Sequence, residues 1–208
     1  MKKAFTLIEL LVVISVIAVL AAMLTPVVTT SVAQARASKC LQQLRQIGAA
    51  VNLYANDNSG ELPASRHQGV LKSWVQVIQP YAGGKILYRC PDDPNPKRDR
   101  SYAINDLLTA GAVPGANYTR RQNIPAASQT IYLAETQANY VTSDHFHFGE
   151  EGAASPEAFI AQVAAERHRG LANYLFADGH VTALQWSEVM KKLTEPGDCF
   201  VNPGATKE

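Results

Sequence analysis

A long uncharged stretch near the N-terminus constrains this chain more than any other feature. From Leu10 to Val28 nearly every residue is apolar, and no charged residue follows until Arg36. About 20 helical residues, at about 1.5 Å each, cross a bilayer hydrocarbon core of about 30 Å. Because Lys2 and Lys3 precede the stretch, the positive-inside bias places the N-terminus in the cytosol. We therefore expect a single-pass membrane protein whose remaining chain lies on the opposite side of the membrane.

One carboxylate, that of Glu9, lies at the edge of this apolar stretch. An ionised side chain costs about 2.5–3.5 kcal/mol at the centre of a membrane helix and less near its end. A helix that served only as an anchor would have no use for this charge. A cleaved signal peptide, with Ala35-Arg36-Ala37 imitating its cleavage site, is disfavoured, since signal cores have roughly 7–15 apolar residues.

The residues around this carboxylate, Lys3-Ala4-Phe5-Thr6-Leu7-Ile8-Glu9, resemble the type IV prepilin signature of pilins and type II secretion pseudopilins. The resemblance implies that a prepilin peptidase cuts between Ala4 and Phe5 and that Phe5 is then N-methylated. Family members usually have Gly before the cut, and Ala4 departs from that pattern. Pro26 fits the family, whose assembly helices often carry a proline at this depth.

This resemblance implies a structural, non-enzymatic subunit of a type IV pilus-like or type II secretion pseudopilus filament, anchored in the bacterial inner membrane with a periplasmic head. Its implied partners are prepilin peptidase, other pilin or pseudopilin subunits, the inner-membrane assembly machinery and the membrane itself. Cleavage creates a positive α-amino group on Phe5, and Glu9 of a neighbouring subunit would pair with it and set the axial register. The alternative is a membrane-anchored periplasmic domain that binds a ligand or acts as a metal-dependent enzyme.

Hydrophobic periodicity predicts that the helix continues beyond the membrane. Apolar residues spaced three and four apart from Ala33 to Tyr54 form one stripe, and the run Asn56–Gly60 ends it. We expect a leader at 1–4, an assembly helix at 5–55 with its transmembrane part at about 7–28, and a head at 56–208. Pro26 is expected to kink or locally unwind the helix.

The head is expected to be one α+β domain, in which a small antiparallel sheet packs on the amphipathic half of the helix, as in pilins. Strand-like runs occur at 101–105 and 130–134, and runs at 173–176 and 181–184 flank a hairpin turn. Ser155 and Ser187 are predicted to cap two short helices. The net charge of +1 gives no indication of a nucleic-acid partner.

The hairpin turn belongs to a second motif, in which His168 precedes Asp178-Gly179 by nine intervening residues. The string from Arg167 to Val181 resembles the H-X9-DG region of certain bacterial prepilin-like proteins. The favoured interpretation is structural: Asp178 and Gly179 form the turn, and His168 hydrogen-bonds the turn or the Asp178 carboxylate.

Two other interpretations of this motif remain open. No cofactor is expected, but His168, Asp178 and His180 have side chains that bind zinc, or calcium through the carboxylate. His145 and His147, two residues apart on an expected strand, would share one face of it and are further candidate ligands. Catalysis by a His/Asp pair has little support, because the sequence has no nucleophile motif of the Gly-x-Ser-x-Gly type.

Three cysteines, Cys40, Cys90 and Cys199, are expected in an oxidising compartment, where disulfides persist. Three cysteines can form one disulfide and leave one free thiol. The spacing of the cysteines in the sequence does not decide which of the three possible pairs forms the disulfide. We favour Cys90–Cys199, which would tie the C-terminal tail to the middle of the head. Cys40 lies on the helical stripe and is expected to be simply buried.

Overall fold

One long helix dominates the N-terminal part of the chain. In the computed structural model, which describes residues 6–66, 72–83, 88–140, 144–149 and 155–205, helix α1 runs from Leu7 to Asp57. The helix continues through Pro26, so the local unwinding expected there does not occur. Beside the proline, the Thr25 hydroxyl donates to the Ala21 carbonyl at 2.9 Å and the Thr29 hydroxyl to the Pro26 carbonyl at 3.0 Å.

Burial divides α1 into two halves. The large apolar side chains between Leu7 and Val32 are exposed, and the helix is long and apolar enough to cross a membrane. From Cys40 onward one face is buried in the head, beginning with Cys40, Leu44 and Ile47, which are all fully buried. The amphipathic stripe predicted from the sequence is therefore the face that packs on the head.

The head contains one five-stranded sheet, in the order β3-β1-β2-β4-β5. Its strands are β1 Tyr102–Asn105, β2 Ile131–Glu135, β3 His145–Phe146, β4 Leu171–Phe176 and β5 Val181–Gln185. Neighbours are antiparallel except β3, which pairs in parallel with β1. The predicted α+β fold with a long helix on a small sheet is confirmed. The sheet is mixed because β3 reaches its edge by a long connection, which permits parallel pairing.

Three shorter α-helices complete the described fold: α2 Trp74–Ile78, α3 Pro156–Gln162 and α4 Trp186–Thr194. Short 3-10 turns lie at Gln79–Ala82, Asp106–Leu108 and Arg121–Asn123. Ser155 caps α3 as predicted, by accepting from Ala158 N at 3.2 Å. The predicted cap at Ser187 is wrong, because β5 runs directly into α4 and leaves Gln185 at the cap position.

Each face of the sheet carries its own apolar cluster. Strand alternation sends Tyr102 and Ile104 towards α1 and α2, whereas Ala103 belongs to the opposite cluster. That opposite cluster includes Phe146, Phe159 and the C-terminal Phe200. The sheet is thus covered on both sides, with α1 forming one of the two layers.

Candidate assembly helix and its attachment to the head

Glu9 has a role within its own chain that the sequence analysis missed. Its Oε2 accepts from the Thr6 backbone N at 2.9 Å and from the Thr6 hydroxyl at 2.7 Å. In return, Glu9 N donates to Thr6 Oγ1 at 3.3 Å. This reciprocal pair is a capping box, and its Thr-x-x-Glu signature was readable in the sequence.

The capping box uses only one of the two oxygens of the Glu9 carboxylate. Both bonds from Thr6 end on Oε2, and none of the residues that the structure describes donates to Oε1. Glu9 is also exposed at the outer surface of the helix. The proposed cleavage site at Ala4 and Phe5 lies outside the described residues.

Hydroxyl groups in the apolar half of α1 are bonded to the helix itself. Ser15, Thr25 and Ser31 each donate to the carbonyl four residues earlier, at 2.7–2.9 Å. A hydroxyl in hydrocarbon needs such a partner, because water is absent there. These residues are therefore compatible with a lipid-facing or helix-facing surface.

A disulfide between Cys40 and Cys90 ties α1 to the head. The predicted Cys90–Cys199 bridge is wrong: Cys40 and Cys90 have Cα atoms 5.2 Å apart, and both are fully buried. Cys199 instead lies in the C-terminal segment, with Sγ 3.5 Å from the Ala205 carbonyl. The position of Cys40 on the buried stripe was the available clue, because that stripe faces the rest of the head.

His168 lies beside this disulfide, between two carboxylates. Its Nε2 is 3.0 Å from each carboxylate oxygen of Glu135, and its Nδ1 is 3.1 Å from Asp92 Oδ2. Glu135 is fully buried, and the His168 side chain is nearly so. Burial by itself lowers the pKa of His168, but the hydrogen bonds and charges of Glu135 and then Asp92 outweigh it, and the net pKa is raised. The structure thus favours an imidazolium that compensates a buried carboxylate.

This arrangement makes the stability of the head depend on pH. The pKa of His168 is higher in the folded than in the unfolded protein, so its contribution is complete below about pH 6.5 and is lost as pH rises through the folded pKa. We expect His168→Gln to reduce the free energy of unfolding by about 3 kcal/mol at pH 6 and less at higher pH. Chemical unfolding of the full chain in detergent between pH 6 and pH 9 measures this difference.

The matched control for this measurement is His180→Gln, since His180 is an exposed histidine of the same motif. Because its side chain is exposed, this substitution should reduce the free energy of unfolding at pH 6 by much less than His168→Gln does. A His168→Gln protein whose stability changes with pH as the wild type does would contradict the assignment of this titration to His168.

The Asp178-Gly179 turn lies at the other end of β4. Phe176 N donates to the His180 carbonyl at 2.9 Å, which closes a three-residue turn in which Gly179 has φ +98°. A Cβ on Gly179 would lie 2.4 Å from the side-chain amide of Asn52 on α1. Glycine is required here both by the backbone angle and by the close approach of the helix.

The two ends of the motif therefore lie close to α1 at two separate places, His168 beside the Cys40–Cys90 bridge and Gly179 beside Asn52. The predicted contact of His168 with the turn or with Asp178 is wrong, because the six residues of β4 separate them by roughly 20 Å. Asp178 instead accepts from its neighbour His180, with Oδ1 3.0 Å from the backbone N and 2.7 Å from Nδ1. The structural interpretation of the motif fits this geometry, since the hairpin lies along the helix from Cys40 to Asn52.

The predicted convergence of motif residues on a metal does not occur. Asp178 and His180 lie together on an exposed turn, whereas His168 is buried beside Glu135. The grouping of His168, Glu135, Cys40 and Cys90 has donor atoms close enough for a metal, but the disulfide consumes both thiols. A different grouping, Asp106 with His145 and His147, lies at the β3 edge of the sheet.

Comparison with known proteins identifies the N-terminal segment. Residues 1–25 match the family described as the prokaryotic N-terminal methylation motif. Searches of curated proteins and of solved structures found no significant match to the chain. The matched motif and the long apolar helix support a membrane-anchored, type IV pilin-like or pseudopilin-like protein.

Proposed function

We propose that this chain is a structural subunit of a type IV pilus-like or type II secretion pseudopilus filament, of the H-X9-DG kind. In this proposal prepilin peptidase cuts between Ala4 and Phe5, and Phe5 is N-methylated. The observation that carries the proposal is the methylation motif at residues 1–25, which continues directly into an exposed apolar helix.

The exposed apolar half of α1 suits two successive environments. Before assembly, side chains between Leu7 and Val32 contact lipid, and the N-terminus remains cytosolic while the head is periplasmic. In the filament the same side chains pack against the helices of neighbouring subunits. Both environments are apolar, so transfer between them costs little hydrophobic free energy.

The attachment of α1 to the head supports a mechanical role. The helix is held by the Cys40–Cys90 disulfide, by apolar packing and by the Gly179 turn. A push on the membrane half would therefore be transmitted to the head without a flexible linker. This property suits a filament whose core is pushed outward by inner-membrane machinery.

Processing tests this proposal most directly. The full chain would be expressed in bacterial membranes with and without a prepilin peptidase, and its N-terminus read by mass spectrometry. We expect peptidase-dependent loss of Met1–Ala4 and a methylated Phe5. Ala4→Gly should be cut at least as fast. Ala4→Leu should block cleavage, because a large side chain departs much further from the Gly that family members usually have there.

Two results would contradict the proposal. An N-terminus that stays at Met1 when a control prepilin is cut in the same membranes would exclude processing. A peptidase-independent cut after Ala37 would instead identify the first 37 residues as a signal peptide.

A further inference from the structure

The edge of the sheet formed by β3 carries a cluster of metal-binding side chains. β3 runs parallel to β1, with Ile104 opposite His145 and Asn105 opposite Phe146. Continuing this register puts Asp106 beside His147, and strand alternation puts His145 and His147 on one face. Phe146, between the two histidines, points to the other side and packs on Phe159 at 6.1 Å between ring centroids.

The donor atoms of this cluster lie at distances that suit a single metal ion. The two Nε2 atoms of His145 and His147 are 3.1 Å apart. Asp106 Oδ2 lies 3.5 Å from the other ring nitrogen of His147, Nδ1, which places this carboxylate beside the same imidazole. One donor atom from each of the three residues lies within 4.8 Å of the others. Two nitrogens on a tetrahedral zinc, with bonds of about 2.0–2.1 Å, are roughly 3.3 Å apart. The imidazole pair is therefore close to the spacing that zinc requires.

Surrounding groups hold the ligands in place. Asp144 Oδ1 lies 3.0 Å from His145 Nδ1, which leaves Nε2 of this ring directed towards His147. The Gln162 side chain clamps the backbone of His147, accepting from its N at 2.9 Å and donating to its carbonyl at 2.8 Å. Ser65 Oγ donates to Asp106 Oδ1 at 3.0 Å. A carboxylate behind a ligating histidine is the usual outer partner in zinc sites.

We propose that His145, His147 and Asp106 bind one divalent transition-metal ion of the zinc class, with Asp144 as the positioning residue of His145. The ion would fasten the two-residue strand β3 to the end of β1. His147 has a partly exposed side chain, which gives the ion access from solvent.

The donor set selects the class of metal. Two imidazole nitrogens and one carboxylate suit zinc and its transition-metal neighbours, whereas calcium takes oxygen ligands. The alternative occupant of the space between the two Nε2 atoms is a proton, which would join the rings as an imidazole–imidazolium pair. Direct measurement of bound metal distinguishes these two occupants.

The test uses the full chain in detergent, without an affinity tag, in a Cys199→Ser background and without reductant. These conditions keep Cys40 and Cys90 bonded and remove the remaining thiol, so that only imidazoles and carboxylates are offered to the metal. After incubation with zinc and passage over a chelating resin, we expect one zinc per chain and an unfolding temperature that rises with zinc but not with calcium. Cobalt(II) should give the intense visible absorption of a low-coordinate nitrogen and oxygen site.

Matched variants separate this site from the rest of the chain. His147→Ala and Asp106→Asn should lose the stoichiometric zinc and the zinc-dependent stabilisation, and Asp144→Asn should weaken zinc binding about 10–100-fold. His180→Ala, which removes the exposed motif histidine, should bind zinc as the wild type does. Each variant must show the wild-type unfolding temperature in chelator, within a few degrees, to count as folded.

Either of two outcomes overturns the proposal. One is a folded parent protein that retains no zinc after the resin, which would assign the space between the rings to a proton. The other is undiminished zinc binding by folded His147→Ala, which would place the metal elsewhere. Both outcomes are independent of N-terminal processing, so they leave the proposed filament role unaffected.

Discussion

Replacing Glu9 by Leu is expected to abolish incorporation of this chain into filaments while leaving membrane insertion intact. Insertion should be unaffected or improved, because the substitution removes a carboxylate that is costly in a membrane helix. Incorporation should fall to background, because the α-amino group of Phe5 on a neighbouring subunit would lose its counter-charge in a low-dielectric filament core. The effect follows from the proposed function and is the largest expected for a single substitution.

The capping box makes a sharper version of this experiment possible. Glu9→Gln keeps a side chain that can bond back to Thr6 but removes the negative charge. Thr6→Ala does the reverse, since it breaks the box and leaves the carboxylate. If charge pairing sets the register, Glu9→Gln fails to assemble as Glu9→Leu does, and Thr6→Ala assembles.

The measurement is the fraction of each variant that co-purifies with tagged wild-type subunits in sheared filaments. Resistance of the membrane fraction to alkaline extraction serves as the insertion control. Wild-type levels of incorporation for Glu9→Gln would mean that Glu9 acts only as a helix cap. Wild-type incorporation for Glu9→Leu would contradict a role of this residue in assembly altogether.

Removing the Cys40–Cys90 bridge is expected to destabilise the head by about 4 kcal/mol. The two cysteines are 50 residues apart, and the loop-closure estimate for a loop of that length gives about this value. Small domains have total stabilities of about 5–15 kcal/mol, so this loss is a large fraction. Cys40→Ala/Cys90→Ala in the full chain, unfolded by denaturant and followed through the fluorescence of buried Trp74, measures it.

The matched control is Cys199→Ala, which should change the free energy of unfolding by much less. Alkylation of the unfolded, non-reduced wild type should label a single cysteine, and peptide mapping should identify it as Cys199. Labelling of Cys40 instead would restore the Cys90–Cys199 pairing and contradict the structure. Equal stabilities of the double variant and the wild type would show that the bridge contributes nothing to the attachment of α1.

The N-terminal half of α1 was readable from the sequence because its properties are local. Apolar length, the lysines before it, and the Thr6-x-x-Glu9 signature each concern residues within a few turns of one another. The stripe from Ala33 to Tyr54 likewise predicted which face of the helix would be buried. The α+β class followed from the same kind of local periodicity in strands and helices.

The predictions that proved wrong, of the disulfide pairing and of the partners of His168, concern residues that are far apart in the chain. The sequence could not choose among three cysteine pairs, because the pairing depends on which loop reaches the buried face of α1. The H-X9-DG motif predicted a contact between His168 and Asp178. In the structure strand β4 separates these two residues, and His168 contacts Glu135 and Asp92 instead.

The sequence by itself determined the long apolar helix, its N-terminal methylation motif and the position of Glu9, since each depends on residues that are consecutive in the chain. Only the tertiary structure decided that Cys40 bonds Cys90, that the Gly179 turn approaches Asn52 on α1, and that Asp106 lies beside His147. The physical reason is that sheet order and strand register bring distant residues together, and a parallel pair such as β1 and β3 leaves no local trace in the sequence.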